Sequence, residues 1–216
     1  MIERKFIQLK KDEFAVKEFV KETLGKGKIS TVKIEYTPVG EKIIVFTAKP
    51  GLIIWRRGEK INELSETLKK KFKLENPHIE ISEIINPQLN ADAIADEIAL
   101  SLERFGPLSF KIITYKVLQK VIDAGALGAE IRLGGKLPSE RAKSWRFAFG
   151  YLKKTGDTAK VVDKAESIAQ TVPGVVGIKV SIMPPDAEIN DKVDVTDKKI
   201  EVQEIIEEPK KKTKKK

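Results

Sequence analysis

A chain of 216 residues, 41% of them hydrophobic, is long enough for one or two domains with real cores, given roughly 150 residues per domain. Lysine and arginine number 41 against 32 aspartate and glutamate, and the resulting net charge of +9 points to a polyanionic partner. There is no cysteine and a single histidine, His78, which excludes disulfide frameworks, thiolate metal sites, thiol nucleophiles and any centre needing two imidazoles.

The opening residues, Met1-Ile2-Glu3-Arg4-Lys5, contain no hydrophobic leader. Apolar runs such as Ile43 to Phe46 and Leu52 to Trp55 fall well short of the roughly 20 residues that cross a bilayer. A cytoplasmic protein with no membrane partner is expected.

Residues 12–24 carry Val16, Phe19, Val20 and Leu24 at helical spacing, with Gly25 placed to stop the helix. Val32, Ile34 and Tyr36 alternate with Lys33 and Glu35 as in a strand. Beyond the turn Pro38-Val39-Gly40, residues 43–48 are apolar on both faces, as in a central strand. Pro50-Gly51 breaks that strand, and a short apolar segment leads through Arg56-Arg57-Gly58 into an amphipathic helix lined by Ile61, Leu64, Leu68 and Phe72. Ile79, Ile81 and Ile85 read as a third strand, and Asn86-Pro87 ends the unit.

Two helices come next, one lined by Ile94, Ile98, Leu102 and Phe105 and the other by Ile113, Val117, Val121 and Ala124, with Gly106-Pro107 between them. Ala129, Ile131 and Leu133 begin a second sheet, and Val176, Ile178, Val180 and Ile182 close it. Between these, Trp145, Phe147 and Phe149 form a strand and residues 161–165 another, while residues 165–171 suit a strand or a helix equally. From Asp186 onward an acidic stretch precedes a lysine run at 210–216. With no aromatics and segregated charge, this segment has the composition of a disordered tail. It holds nine acids and nine lysines, so the whole +9 belongs to residues 1–185.

The chemistry-bearing region of the first unit is the basic turn between its two adjacent helices. A turn opening a helix presents backbone N–H groups and partial positive charge, both suited to phosphate, and Arg56, Arg57 and Lys60 add full charges there. The unit resembles a KH domain of the second topological type, whose G-x-x-G loop grips the backbone of a few nucleotides. Here Gly58 holds the second glycine position and Trp55 stands at the first. Glycine at that first position permits unusual backbone angles, so an indole there reshapes the clamp, stacks on a base or packs inward.

Through the second unit, Gly125-Ala126-Leu127-Gly128-Ala129-Glu130-Ile131, Gly135-Lys136-Leu137, Arg141-Ala142-Lys143-Ser144, Phe147, Gly150, Gly156-Asp157 and Val176-Gly177-Ile178-Lys179-Val180 stand in the order and spacing of the small-subunit ribosomal protein S-three family, archaeal and eukaryotic type. The likeness spans about residues 1 to 185. Lys136, Arg141, Lys143, Arg146, Lys153 and Lys154 lie close together, with Trp145, Phe147, Phe149 and Tyr151 at alternate positions, which suits a strand with one face in the core and one toward phosphates. The resemblance implies a site on small-subunit rRNA in the subunit head, with head ribosomal proteins as neighbours. It also implies that basic residues early in the second helix of this domain line the mRNA entrance and oppose mRNA structure. Where the family often carries paired arginines, this chain has Lys111 followed by Ile112, with Lys116 one turn later.

Enzyme readings fare poorly. Gly134-Gly135-Lys136 lacks the first glycine and the final serine or threonine of a phosphate loop, and Gly25-Lys26-Gly27 lacks the third glycine of a dinucleotide loop. No carboxylates pair at a spacing suited to acid/base work. A lysine Schiff-base lyase or nuclease acting on nucleic acid is the one catalytic option left.

The sequence thus predicts an α+β protein. Residues 1–86 form a KH type 2 domain (α-β-β-α-α-β), residues 87–185 a second domain of two helices packed on a four-stranded sheet, and residues 186–216 a disordered acidic-then-lysine tail. It is expected to bind rRNA without catalysis, metal, cofactor or small-molecule substrate. The alternative is a free-standing KH-type mRNA-binding regulator.

Overall fold

The computed structural model describes residues 2–38, 40–54, 58–72, 74 and 76–187. Its first sheet has three strands, β1 (Val32–Thr37), β2 (Gly40–Thr47) and β3 (His78–Glu83), in the order β1-β2-β3. β2 is central, as its two-sided apolar sequence predicts; it runs antiparallel to β1 and parallel to β3. A parallel pair needs a crossover. Helices α2 (Pro50–Ile54) and α3 (Glu59–Phe72) supply it, and α1 (Ile2–Leu24) packs beside α3. Val16, Val20, Ile43, Val45, Ile53, Leu64 and Leu68 are buried in the core these elements share. Burying a side chain such as Leu68 is worth about 1.5–3 kcal/mol relative to leaving it in water.

Two boundaries differ from the sequence reading. α1 begins at Ile2 rather than near residue 12. Its first half buries no side chain, so periodicity of burial could not mark it. Good helix formers and the Lys10–Glu13 ion pair at 2.8 Å support it instead. Ile85 is not a strand residue and is 93% exposed. β3 ends at Glu83 because its partner β2 ends at Thr47, and the Ile84 N–H makes the last bond, to the Thr47 carbonyl.

The second sheet comprises β4 (Gly128–Lys136), β5 (Ala142–Gly150), β6 (Asp163–Thr171) and β7 (Gly174–Met183), all antiparallel in the order β5-β4-β7-β6. Helices α4 (Ala91–Phe105) and α5 (Phe110–Asp123) pack on it; Ile94, Ile98, Leu102, Val117 and Val121 meet Ile131, Leu133, Ile178, Val180 and Ile182. Asn90 caps α4, its side-chain oxygen accepting from the Ala93 N–H at 3.1 Å. Phe105, expected among the lining residues, is 66% exposed because α4 terminates there at Gly106.

Residues 165–171, ambiguous in sequence, are strand. Pairing with β7 decides it: Ala165 faces Val180 and Ala169 faces Val176, both alanines buried. Residues 157–160, by contrast, make a 3-10 turn, so that strand starts at Asp163. Gly128 and Gly150 are cross-strand partners at the start of β4. Gly150 has φ +66°, and a Cβ there would collide with the Leu127 carbonyl oxygen, which explains why glycine occupies this point of the motif.

Candidate nucleic-acid interface

In the first domain, α3 is preceded by Gly58, whose φ of +76° lies in the left-handed region that favours glycine. No other atom lies within 4 Å of where its Cβ would be, so the need is conformational and not steric. α3 starts at the next residue, and its N-terminal turn carries Glu59 and the half-buried Lys60. Trp55, Arg56 and Arg57 lie outside the described residues.

In the second domain the basic residues collect where the β4–β5 hairpin closes. Lys136 pairs with Ala142 and Lys143 with Gly135, and Lys136, Arg141 and Lys143 are all exposed. Trp145 organises this end. Its indole N–H donates to the Leu137 carbonyl at 3.2 Å, tying down the hairpin loop, and its ring packs tilted against Phe110 at 5.3 Å between centroids. Lys111, in the first turn of α5, holds its ammonium 4.8 Å from the same indole, a cation–π contact. One aromatic ring therefore ties a helix-borne cation to the hairpin that bears three more. Lys116 is also exposed, but lies roughly 140° further round α5.

A second group of cations occupies the sheet face that carries no helix. Glu130, only 4% exposed, has the Arg132 and Arg146 side chains at one oxygen and Lys154 Nζ 2.5 Å from the other. Burial alone would push this carboxyl upward. The bonds from Lys154, Arg132 and Arg146 outweigh it and hold the pKa down from 4.5 to about 2. Among the described residues no group of three or more His, Cys, Asp or Glu side chains is arranged to hold a metal ion, and no helix is long and apolar enough to cross a membrane.

Residues 15–89 match the family described as "KH domain", and residues 98–182 match "Ribosomal protein S3, C-terminal domain". A protein named "Small ribosomal subunit protein uS3" from Methanocaldococcus jannaschii is 40% identical over 209 residues, 96% of this chain and 99% of that relative. Proteins of the same name from Archaeoglobus fulgidus and Methanococcus aeolicus are 38% and 36% identical over 93% and 91% of the chain, respectively 86% and 94% of their own lengths. The chain belongs to the uS3 family.

For this uS3 chain, the structure sets Lys111 against Trp145 and places Lys136, Arg141 and Lys143 at the closed end of the β4–β5 hairpin, where Lys136, paired with Ala142, is turned to the opposite sheet face from Lys143. Arg146 stands apart from them. It lies an odd number of residues from Arg141 and Lys143, so strand alternation turns it to the other sheet face, beside Glu130. Of the alternating aromatics, Phe147 is buried and Trp145 half-buried, but Phe149 and Tyr151 are 44% and 52% exposed. They do not complete the core as expected, because α5 reaches over the first part of edge strand β5, where Phe110 and Tyr115 meet Trp145 and Phe147. Sequence reasoning missed Glu130. Its spacing to Arg132 on one strand face was the available signal, but two of its three cationic partners come from residues 16 and 24 positions away.

Proposed function

We propose that this uS3-family chain is a non-catalytic structural constituent of the small ribosomal subunit head, acting in the cytoplasm, where it binds small-subunit rRNA and helps line the mRNA entrance beside neighbouring head proteins. The observation that carries this reading is the placement of Lys136, Arg141 and Lys143 at the closed end of a hairpin that Trp145 ties to Lys111, in a chain similar along nearly its whole length to proteins named for the small subunit. Fixed cations on a rigid hairpin recognise the phosphate backbone by position and shape, with counterion release supplying much of the affinity. In the first domain the basic run Arg56-Arg57-Gly58 and Lys60, which Trp55 precedes in the sequence, is the proposed counterpart that binds backbone. Lys111 and Lys116 are the residues through which the second domain reaches mRNA.

Sucrose-gradient sedimentation of cell extract tests this. The tagged protein co-migrates stoichiometrically with small subunits. A protein that stays at the top of the gradient while still binding mRNA is a free-standing regulator instead.

A further inference from the structure

The helix-free face of the second sheet has an order that the hairpin cluster does not explain. Arg132 on β4 pairs in register with Arg146 on β5 and with Lys179 on β7, so three cations stand in one row across three strands. Like charges directly opposite are unfavourable. Glu130 and Glu166 offset part of this, Glu166 lying 2.7 Å from Lys179, yet with Lys154, and with Lys136 and Lys164 at in-phase positions of β4 and β6, cations on this face outnumber these two carboxylates. Glu130 meets both arginines through Nε, and the three side chains of the row remain 56–65% exposed.

The next row is bare. Gly134 pairs with Gly177 on one side and Ser144 on the other, giving a floor with almost no side chain. Interior glycine weakens a strand and commonly marks a place where a ligand or another backbone comes close. Neither glycine has a positive φ, and a Cβ on either would meet nothing nearer than 3.8 Å. Thus neither the local backbone nor the packing of this chain calls for glycine at these positions. The cleft above them has a volume of about 530 Å³ and is walled by Arg132, Arg146 and Lys179.

We infer that this trough is a second RNA-backbone site, separate from the hairpin cluster, in which a sugar-phosphate strand lies on Gly134 and Gly177 with its phosphates along the row Arg132, Arg146 and Lys179. The inference rests on the proposed RNA-binding role and adds to it the sheet face opposite Lys143 and Trp145. An RNA strand fits better than a protein segment because the row beside the floor is cationic on all three strands; the exposed apolar side chains, Ile168 opposite Gly177 and Val175, lie at the β6–β7 edge of the floor and not along that row. Glu130 is a positioning residue here, since it fixes the two guanidiniums from below.

Filter binding of the full chain to small-subunit rRNA over a salt series tests it with three variants. Gly177→Val keeps every charge and, as a β-branched residue in a strand, melts no lower than wild type; it weakens binding by at least about tenfold. Lys179→Ala lowers the slope of log affinity against log salt by roughly 0.7. Arg141→Ala/Lys143→Ala reports on the hairpin cluster independently. If Gly177→Val and Lys179→Ala bind as wild type while the hairpin variant loses affinity, the trough is not an RNA site and the proposed function stands. If all three bind as wild type, neither the trough nor the hairpin is an RNA site. Normal rRNA binding by Gly177→Val combined with failure to enter small subunits identifies a protein occupant and overturns the inference.

Discussion

Asp96 of α4 accepts the Gly27 backbone N–H at 2.8 Å on one carboxylate oxygen and the Ser167 hydroxyl at 2.9 Å on the other. A single side chain thus joins the loop after α1 in the first domain to β6 in the second. Thr31 donates to Asp92 at 3.1 Å and Lys26 to the Ile168 carbonyl at 2.9 Å in the same seam. The proposed cationic sites of the two domains hold a fixed relation only if such a seam is stiff. Asp96→Ala is expected to lower stability by about 1–3 kcal/mol. In urea unfolding, Trp55 and Trp145, one in each domain, should then cease to report a single coincident transition.

The two notable carboxylates respond to pH in opposite senses. Glu130 has its pKa held at about 2 in the folded chain. Its stabilising contribution, about 3 kcal/mol, is present above roughly pH 4.5 and is lost as pH falls through about 2. Glu130→Gln should therefore melt well below wild type at neutral pH, with the gap narrowing as acid is added.

Asp92 is raised, first by burial and further by Asp163 and Asp96, against the lowering influence of Lys21 and Thr31. A carboxyl whose folded pKa is raised costs stability at pH above that pKa, and the cost disappears on protonation. Asp92→Asn keeps an acceptor for Thr31 and should raise the melting temperature at pH 7. At acid pH, where wild type carries the proton, the two should converge.

Much of the architecture could be read from residue order. Gly25 stops α1, the two-sided apolar run makes β2 central, and alternation places Ile131, Leu133, Ile178 and Val180 on one buried face. Residues 165–171 could not be assigned alone, because Ala165 and Ala169 suit either helix or strand and only the facing β7 residues decide. The hairpin cluster was half legible. The cations were evident as a run, but the Lys111–Trp145 pairing joins residues 34 positions apart, and the burial of Glu130 depends on partners on β5 and beyond it. Parity alone was enough to separate Arg146 from Arg141 and Lys143.

At the end of β5, opposite the start of β4, Gly150→Ala is expected to cost at least about 2 kcal/mol, since a positive φ and a clash with the Leu127 carbonyl act together. Thermal denaturation checks this, and Gly134→Ala, where a Cβ has room, is the comparison that should change little.

The salt dependence of binding to small-subunit rRNA bears most directly on the account. For the full chain, log affinity should fall linearly with log salt, and Lys136→Ala/Arg141→Ala/Lys143→Ala should reduce the steepness by about two, at roughly 0.7 for each phosphate no longer neutralised. An affinity and slope unchanged by removing those three cations would contradict the claim that this hairpin grips RNA by its backbone.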